Sequence, residues 1–124
     1  MNLKSIAKGS TETFTVDQGV VLLKQTNDND FQSNFNFNIG KDYIQFHFCL
    51  KGNSKFLFNQ GSYVLNVENE NSILLYNPDK ELPINLMLDS NSQVLSILIS
   101  IKKFHSLFSD ESDQISFLNN NNIG

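Results

Sequence analysis

The strand prediction is clearest for the stretch Tyr-Ile-Gln-Phe-His-Phe-Cys-Leu at positions 43–50. Successive side chains of a strand point to opposite faces, so every second residue shares a face. One face of this strand is apolar and carries Ile44, Phe46, Phe48 and Leu50. The other face is mixed and carries Tyr43, Gln45, His47 and Cys49. In a closed barrel, a mixed face of this kind can point inward and place polar groups around a ligand.

Further strand patterns occur on both sides of this stretch, separated by turn sequences. They lie at 14–16, 20–23, 35–39, 56–58, 63–67, 73–76, 84–88 and 94–101. The segments between them are rich in Asn, Asp and Gly, which favour turns because they tolerate unusual backbone angles or bond their own backbone. Short strands at this spacing are typical of a sandwich or barrel and not of alternating strands and helices. The sequence therefore predicts a mostly β fold.

The pattern changes near Ile101. Phe104, Leu107 and Phe108 are spaced three and four residues apart, which predicts a helix. A second short helix is predicted around 115–118, and a run of Asn follows it. We divide the chain into a flexible N-terminal arm at 1–12, one domain at 13–118, and a linker or tail at 119–124.

Charge argues against direct nucleic-acid binding by this segment. The 124 residues carry a formal net charge of −4, and the nine basic residues are all lysines, scattered except for Lys102 and Lys103. Phosphate binding needs clustered basic side chains, and arginine supplies the bidentate contacts to phosphate and guanine. The sequence also has no apolar run near the ~20 residues of a membrane span and no signal-peptide pattern at its start, so we expect a cytoplasmic protein.

No catalytic motif or metal-ligand pattern stands out. Cys49 is the single cysteine, which excludes an internal disulfide and a cysteine-based zinc site, and its apolar setting indicates an inert buried thiol. The acidic residues fall mostly in turns, His105 lies on the predicted helix, and neither a nucleophile elbow nor a glycine-rich phosphate loop occurs. We therefore expect no enzyme activity, no metal and no cofactor. For His47 two interpretations stay open: a hydrogen-bonded core histidine, or a ligand contact.

Four segments carry a resemblance to a known family. They are Phe-Cys-Leu-Lys-Gly-Asn-Ser-Lys-Phe at 48–56, Gly-Ser-Tyr-Val-Leu at 61–65, Ser-Ile-Leu-Leu-Tyr-Asn-Pro at 72–78, and Ile-Ser-Ile-Lys-Lys-Phe-His-Ser-Leu-Phe at 99–108. This succession of strand, glycine turn, hairpin, proline turn and closing helix resembles the cupin-like N-terminal sensor domain of AraC-family transcriptional regulators. The resemblance covers about residues 43–118. It implies a double-stranded β-helix, or jelly-roll, barrel with a short C-terminal helical segment.

Metal-dependent cupins share this shape, but this sequence departs from their ligand pattern. Gln45 stands near the position of their glutamate, and Asn36 and Asn38 occupy the strand where their His-x-His pair lies. No histidine follows Pro78 where a later ligand would be. Amides are poor substitutes for imidazole and carboxylate as ligands of a transition metal, so the resemblance favours a sensor over a metal enzyme.

The resemblance implies a bacterial, cytoplasmic protein in which the barrel binds a small-molecule effector. DNA would be bound only by a separate helix-turn-helix domain downstream of this segment, and the full-length protein could be a homodimer. The expected ligand-binding residues are Gln45, His47 and Cys49, with Asn36 and Asn38 across the barrel. Amides and an imidazole suit an uncharged polar ligand.

Two alternatives stay open. The first is a stand-alone cupin enzyme, such as an isomerase or a dioxygenase, which would contain a metal. The second is a non-catalytic carbohydrate-binding β-sandwich, which would bind sugars without a downstream domain.

Overall fold

The computed structural model describes residues 9–109. Within this range it contains nine strands and one helix. Their bounds are β1 Gly9–Asp17, β2 Val20–Asn27, β3 Ser33–Phe37, β4 Tyr43–Lys51, β5 Asn53–Phe58, β6 Tyr63–Glu68, β7 Ser72–Leu75, β8 Ile84–Leu88, β9 Ser92–Ser100 and α1 Ile101–Ser109. The predicted mostly β fold with a short C-terminal helical segment is confirmed. The described helix is too short to cross a membrane.

The strands form two antiparallel sheets. The five-stranded sheet has the order β1-β2-β9-β4-β7, and the four-stranded sheet has the order β3-β8-β5-β6. The chain crosses between the sheets several times, so neighbours in space are distant in sequence. β9, for example, pairs with β2 on one side and β4 on the other.

The core lies between the two sheets. β8 shows why: Ile84, Leu86 and Leu88 are buried, whereas Asn85 and Met87 are only partly covered. Alternation with period two turns one side of each strand toward the opposite sheet. The buried hydrophobic cluster draws on both sheets and comprises Leu23, Ile39, Cys49, Phe56, Val67, Ile84, Leu86, Leu88, Val94 and Leu98.

Two strands, β1 and β2, differ most from the sequence prediction in length. β1 begins at Gly9, so residues 9–12 of the predicted arm pair with β2. β2 continues beyond Leu23 to Asn27, which buries Gln25 and Asn27 in the interior. Residues 1–8 of the arm, the helix predicted around 115–118 and the tail at 119–124 lie outside the described residues.

The helix α1 follows β9 without a loop and is fixed at its N-terminus. The backbone N–H of Lys103 donates to Ser100 Oγ at 3.0 Å, which makes Ser100 the N-cap residue. The backbone N–H of Ile101 donates to the carbonyl of Asp42 at 2.7 Å. Lys103 Nζ also forms a salt bridge with Asp17 Oδ2 at 2.7 Å. The start of the helix is thereby held against the turn that joins β1 to β2.

Candidate functional site

His47 lies at the centre of the interior. It is on β4, where it is paired with Ser96 of β9 and with Ile73 of β7. Its side chain is 0% exposed. The imidazole packs against the ring of Phe56 on the opposite sheet, with 4.5 Å between the ring centroids. The mixed face of β4 therefore points inward.

Both ring nitrogens of His47 are hydrogen-bonded. Nδ1 lies 2.6 Å from Ser96 Oγ, and Nε2 lies 2.9 Å from Gln45 Oε1. The amide of Gln45 in turn donates from Nε2 to the carbonyl of Leu82 at 2.7 Å. We call Ser96, His47 and Gln45 the interior relay.

The Leu82 carbonyl determines which group donates and which accepts in each hydrogen bond of the interior relay. A carbonyl can only accept, so the NH2 group of Gln45 must face it and Gln45 Oε1 must face His47. His47 Nε2 therefore carries the proton, and in the neutral imidazole Nδ1 accepts from the Ser96 hydroxyl.

Burial keeps His47 neutral. Removal from water penalises the charged imidazolium and lowers the pKa of His47 to about 4. At neutral pH the relay therefore carries no net charge. Its hydroxyl, imidazole and amide groups suit hydrogen bonding to uncharged polar groups.

Gln25 is a further buried polar residue on the same interior face. It is paired with Val94 of β9 and is a diagonal neighbour of Ser96, at roughly 7–8 Å in such a sheet. Its side chain is 0% exposed, and neither Oε1 nor Nε2 has a hydrogen-bond partner in the structure. Leaving a buried polar group unpaired costs about 1–3 kcal/mol. Gln25 thus has an NH2 group and a carbonyl oxygen that are buried without a protein partner.

The Cys49 side chain also points inward, where its thiol contacts backbone carbonyls close by in the sequence. The thiol is buried and approaches the carbonyls of Lys51 and Gly52 at 3.5 and 3.4 Å. Burial raises the pKa of the thiol, so the reactive thiolate is disfavoured. Its described contacts are those of a core residue.

The placement of Asn36 and Asn38 across the barrel is wrong. Both side chains are exposed, because Phe35 and Phe37 of β3 take the inward positions and pack on the core. Asn36 instead lines a groove of about 220 Å³ together with Asn34 and Asn85. Burial of two phenylalanines outweighs burial of two amides, which would each need partners inside.

The interior does not fit the metal site of a metal-dependent cupin. It contains one imidazole, and both nitrogens of that ring are already bonded. Between Gly9 and Ser109 no cluster of three His, Cys, Asp or Glu side chains could hold a metal ion. Glutamine and serine beside a single histidine are a weak donor set for a transition metal.

A second, larger groove lies at the junction of the barrel and α1. It has a volume of about 720 Å³ and is lined by Asp17, Gln18, Gly19, Asp42, Tyr43, Ser100, Ile101, Lys102, Lys103 and Ser106. Its charged residues include the Asp17–Lys103 ion pair. This groove touches the first turn of the helix, whereas the interior relay lies deeper, between the sheets.

Gln25 and Ser96 were not predicted from the sequence. Ser96 stands in the run Val-Leu-Ser-Ile-Leu-Ile at 94–99, where both faces of β9 are apolar and the alternation is hidden. Gln25 lies beyond the predicted strand at 20–23 and received no assignment from the sequence. The signal that could have found it is the alternation Leu23, Gln25, Asn27.

No protein-family model matches this sequence, and no curated protein sequence matches it. Solved structures do match. The chain is similar to an HTH_3 family transcriptional regulator from Vibrio cholerae, with a TM-score of 0.56 and 14% identity over 73% of this chain and 50% of that one. It spans half of the length of that regulator.

Two further matches name the fold. One is a cupin domain of an XRE family transcriptional regulator from Enterobacter cloacae, with a TM-score of 0.53 and 9% identity over 73% of this chain and 95% of that one. The other is a protein with a double-stranded β-helix domain from Klebsiella pneumoniae, with a TM-score of 0.56 and 7% identity over 77% of this chain and 75% of that one. This chain has the cupin fold. The interior relay and Gln25 therefore lie inside a cupin barrel.

Proposed function

We propose that this cupin domain is the effector-sensing domain of an AraC-type transcriptional regulator and that it has no catalytic activity. The observation that carries the proposal is Gln25, a fully buried amide whose two polar atoms have no protein partner. A buried unpaired amide lowers stability and therefore needs an explanation, and a bound ligand that pairs with it would supply one.

The interior selects for an uncharged ligand. The buried polar residues of the described chain are all neutral: Gln25, Asn27, Asn29, Gln45, His47, Ser54, Ser92 and Ser96. A charged ligand would find no opposite charge there and would lose its hydration. A ligand with one donor and one acceptor side by side, such as a polyol, a sugar or an amide, complements the Gln25 side chain.

β9 connects this interior to the helix. It carries Ser96 of the relay and ends at Ser100, the cap of α1. A ligand that favours one position of β9 would also favour one position of α1. Effector binding would then act by population shift, since the bound conformation is stabilised by its own contacts.

DNA binding is assigned to a separate domain. The −4 charge and the absence of arginine disfavour phosphate contacts by this segment. Transcriptional regulators occur among the proteins with similar structures, which is in keeping with this assignment. The AraC-type arrangement predicts a basic, helical region with two helix-turn-helix units downstream, and sequencing the native reading frame beyond codon 124 tests that part directly.

Burial argues against catalysis by the relay. Serine nucleophiles in enzymes are activated by a hydrogen bond to a histidine, and Ser96 Oγ lies 2.6 Å from His47 Nδ1. Burial lowers the pKa of His47 to about 4, however, so the imidazole is a weak base toward the Ser96 hydroxyl, and its other nitrogen faces an amide and not a carboxylate. We interpret the relay as a polar wall of the ligand site.

A thermal-shift screen of the purified chain tests the ligand site. The probes are sugars, polyols, nucleosides and simple amides at millimolar concentration. We expect at least one of these classes to raise the melting temperature of the wild type and of Asn36→Ala, but not of Gln25→Met. A compound that stabilises Gln25→Met and the wild type equally would place the site elsewhere, and a screen without any hit would contradict the sensing proposal.

A further inference from the structure

Three neutral amides lie next to one another on the outer face of the four-stranded sheet. Asn34 and Asn36 share that face of β3 and are about 7 Å apart, since every second residue of a strand points the same way. Asn85 of β8 is paired directly with Asn36. The Cβ atoms of such a pair are about 5 Å apart. Asn36, which was predicted to contact a ligand inside the barrel, therefore has amide neighbours on the outside.

A fourth amide joins this group from the turn between β5 and β6. Gln60 lines the same groove of about 220 Å³ as the three asparagines. Its φ is +60°, and it lies between Asn59 at +52° and Gly61 at +89°. Glycine and asparagine adopt this left-handed region readily, whereas glutamine adopts it at a cost. The turn therefore holds Gln60 in a strained backbone conformation that glycine would relieve.

The groove is polar but carries no charged side chain. Its lining consists of Asn34, Asn36, Leu57, Gln60, Gly61, Asn85 and Leu86. We call Asn34, Asn36, Gln60 and Asn85 the groove amides. Within residues 9–109, no hydrogen bond joins any of these four amide groups to the protein. Each amide can donate two hydrogen bonds and accept two, so the groove presents many donors and acceptors that the described chain does not use.

An apolar surface adjoins the groove amides. Phe56 of β5 is paired with Leu86 of β8, which places Leu57, the next residue of β5, beside Asn85. Leu57 is half-buried, and Val64, its partner on β6, is 40% exposed. The amides of β3 and β8 thus border an apolar strip from β5 and β6. A ligand that fits both parts has hydrogen-bonding groups along one rim and an apolar face.

Three classes of ligand fit this surface poorly. A phosphate or a carboxylate would find no opposite charge in the groove and would lose its hydration. A purely apolar ligand would cover the amides and leave them without water or a partner. An added peptide strand would pair with the open backbone edge of β3 and would leave Gln60 and Asn85 unused.

We propose that this groove is a second binding site, on the outside of the barrel, and that it takes a neutral carbohydrate. Hydroxyl groups both donate and accept, so neighbouring hydroxyls of a sugar can bond an amide through its nitrogen and its oxygen. The C–H face of the sugar ring would lie on Leu57. The groove is smaller than the roughly 300–1,000 Å³ of a pocket that encloses a drug-sized ligand, so it would hold one sugar unit and leave the rest of a glycan in solvent. The proposal does not depend on effector binding at Gln25.

Nuclear magnetic resonance of the isotope-labelled 124-residue chain tests the proposal. The side-chain NH2 groups of asparagine and glutamine give their own signals, so the groove and the interior are observed separately in one titration. The probes are glucose, galactose, mannose, maltose and lactose at millimolar concentration. We expect at least one of these sugars to shift the signals of the groove amides and to leave those of Gln25 and Gln45 unchanged.

Variants of the groove amides test the contacts. Asn36→Ala and Asn85→Ala should each raise the dissociation constant of that sugar at least about fivefold, the effect of one lost hydrogen bond. Asn66→Ala is the matched control, because Asn66 is an exposed amide on β6 of the same sheet and does not line the groove. Gln60→Gly separates binding from folding: it should weaken sugar binding to a similar degree and raise the melting temperature, because glycine relieves the left-handed backbone.

The outcomes separate this site from the interior site. Shifts of the groove amides that are weakened in Asn36→Ala and kept in Asn66→Ala support the proposal. Shifts confined to Gln25 and Gln45 would overturn it and would support the proposed effector site instead. A panel that leaves the groove amides unshifted also overturns it, as does wild-type affinity in both Asn36→Ala and Asn85→Ala. If a neutral glycine–serine peptide shifts the groove amides as strongly as the best sugar, the carbohydrate assignment is wrong.

Discussion

Replacing Gln25 by methionine should make the protein more stable. Methionine has nearly the same length and volume as glutamine but no polar atoms to leave unpaired. In the native structure both polar atoms of Gln25 are buried without a partner. Removing a penalty of about 1–3 kcal/mol should therefore raise the free energy of unfolding by about 2 kcal/mol.

The same substitution at Gln45 is the matched control and should have the opposite sign. The Gln45 amide accepts from His47 Nε2 and donates to the Leu82 carbonyl. Gln45→Met leaves both of those groups buried and unpaired, so we expect a loss of about 2–4 kcal/mol. Because the chemistry of the two substitutions is identical, their difference reports only on the hydrogen bonding of the two amides.

Urea unfolding followed by circular dichroism measures both effects. For a domain of this size, 1 kcal/mol corresponds to about 4 °C in melting temperature, so calorimetry should show a rise of about 8 °C for Gln25→Met. If Gln25→Met is destabilised as much as Gln45→Met, then the Gln25 amide is satisfied in solution by a tightly held water. In that case the argument for a ligand at this position fails.

Two further predictions concern pH and turn geometry. The pKa of His47 is about 4 in the folded protein and about 6.5 in the unfolded chain, so the stability it contributes is complete above pH 6.5 and is lost as pH falls toward 4. This loss of free energy of unfolding amounts to about 3 kcal/mol. His47→Gln lacks the titrating group, so its urea midpoint should fall less between pH 7 and pH 4 than the wild-type midpoint does. Gly52→Ala should cost at least about 3 kcal/mol, because φ is +78° and a Cβ there would lie 2.8 Å from Ser92 Cα. Gly61→Ala has the same backbone strain with open space and should cost about 1–2 kcal/mol, whereas Gly40→Ala should stay within about 0.5 kcal/mol; equal unfolding midpoints for all three would refute this ranking.

The fold was predictable where the two faces of a strand differ in polarity. In β4 the mixed and apolar faces alternate cleanly, and the sequence assigned Gln45 and His47 to the face that the structure buries. The turns around Gly52 and Gly61 are marked by residues that accept a positive φ. The Gly61 turn joins the paired strands β5 and β6 as a hairpin, whereas the Gly52 turn takes the chain from one sheet to the other. That Gln45, His47 and Cys49 bind a ligand stays a prediction.

The direction of Ser96 could not be predicted from the sequence, because both faces of its strand are apolar. In β9 the outward residues Leu95 and Ile97 are as apolar as the inward Val94, so Ser96 did not reveal its direction. In β3 the alternation of Phe35 and Phe37 with Asn36 by itself favours the phenylalanines inside, as the structure has them. The inward placement of Asn36 came instead from the family resemblance, which puts a ligand pair on that strand. Pairing across 65 to 79 residues, as between β2 and β9, cannot be derived from local patterns.

Because α1 is held at its start, a small tilt there produces a larger displacement at its far end. Nine residues give it a length of about 13 Å. With its base held by Ser100 and the Asp17–Lys103 pair, a tilt of about 10° at the end of β9 would move its far end by about 2 Å. Under the proposed function, a small displacement between the sheets would therefore become a larger change of position at the end of α1 that faces the proposed downstream domain.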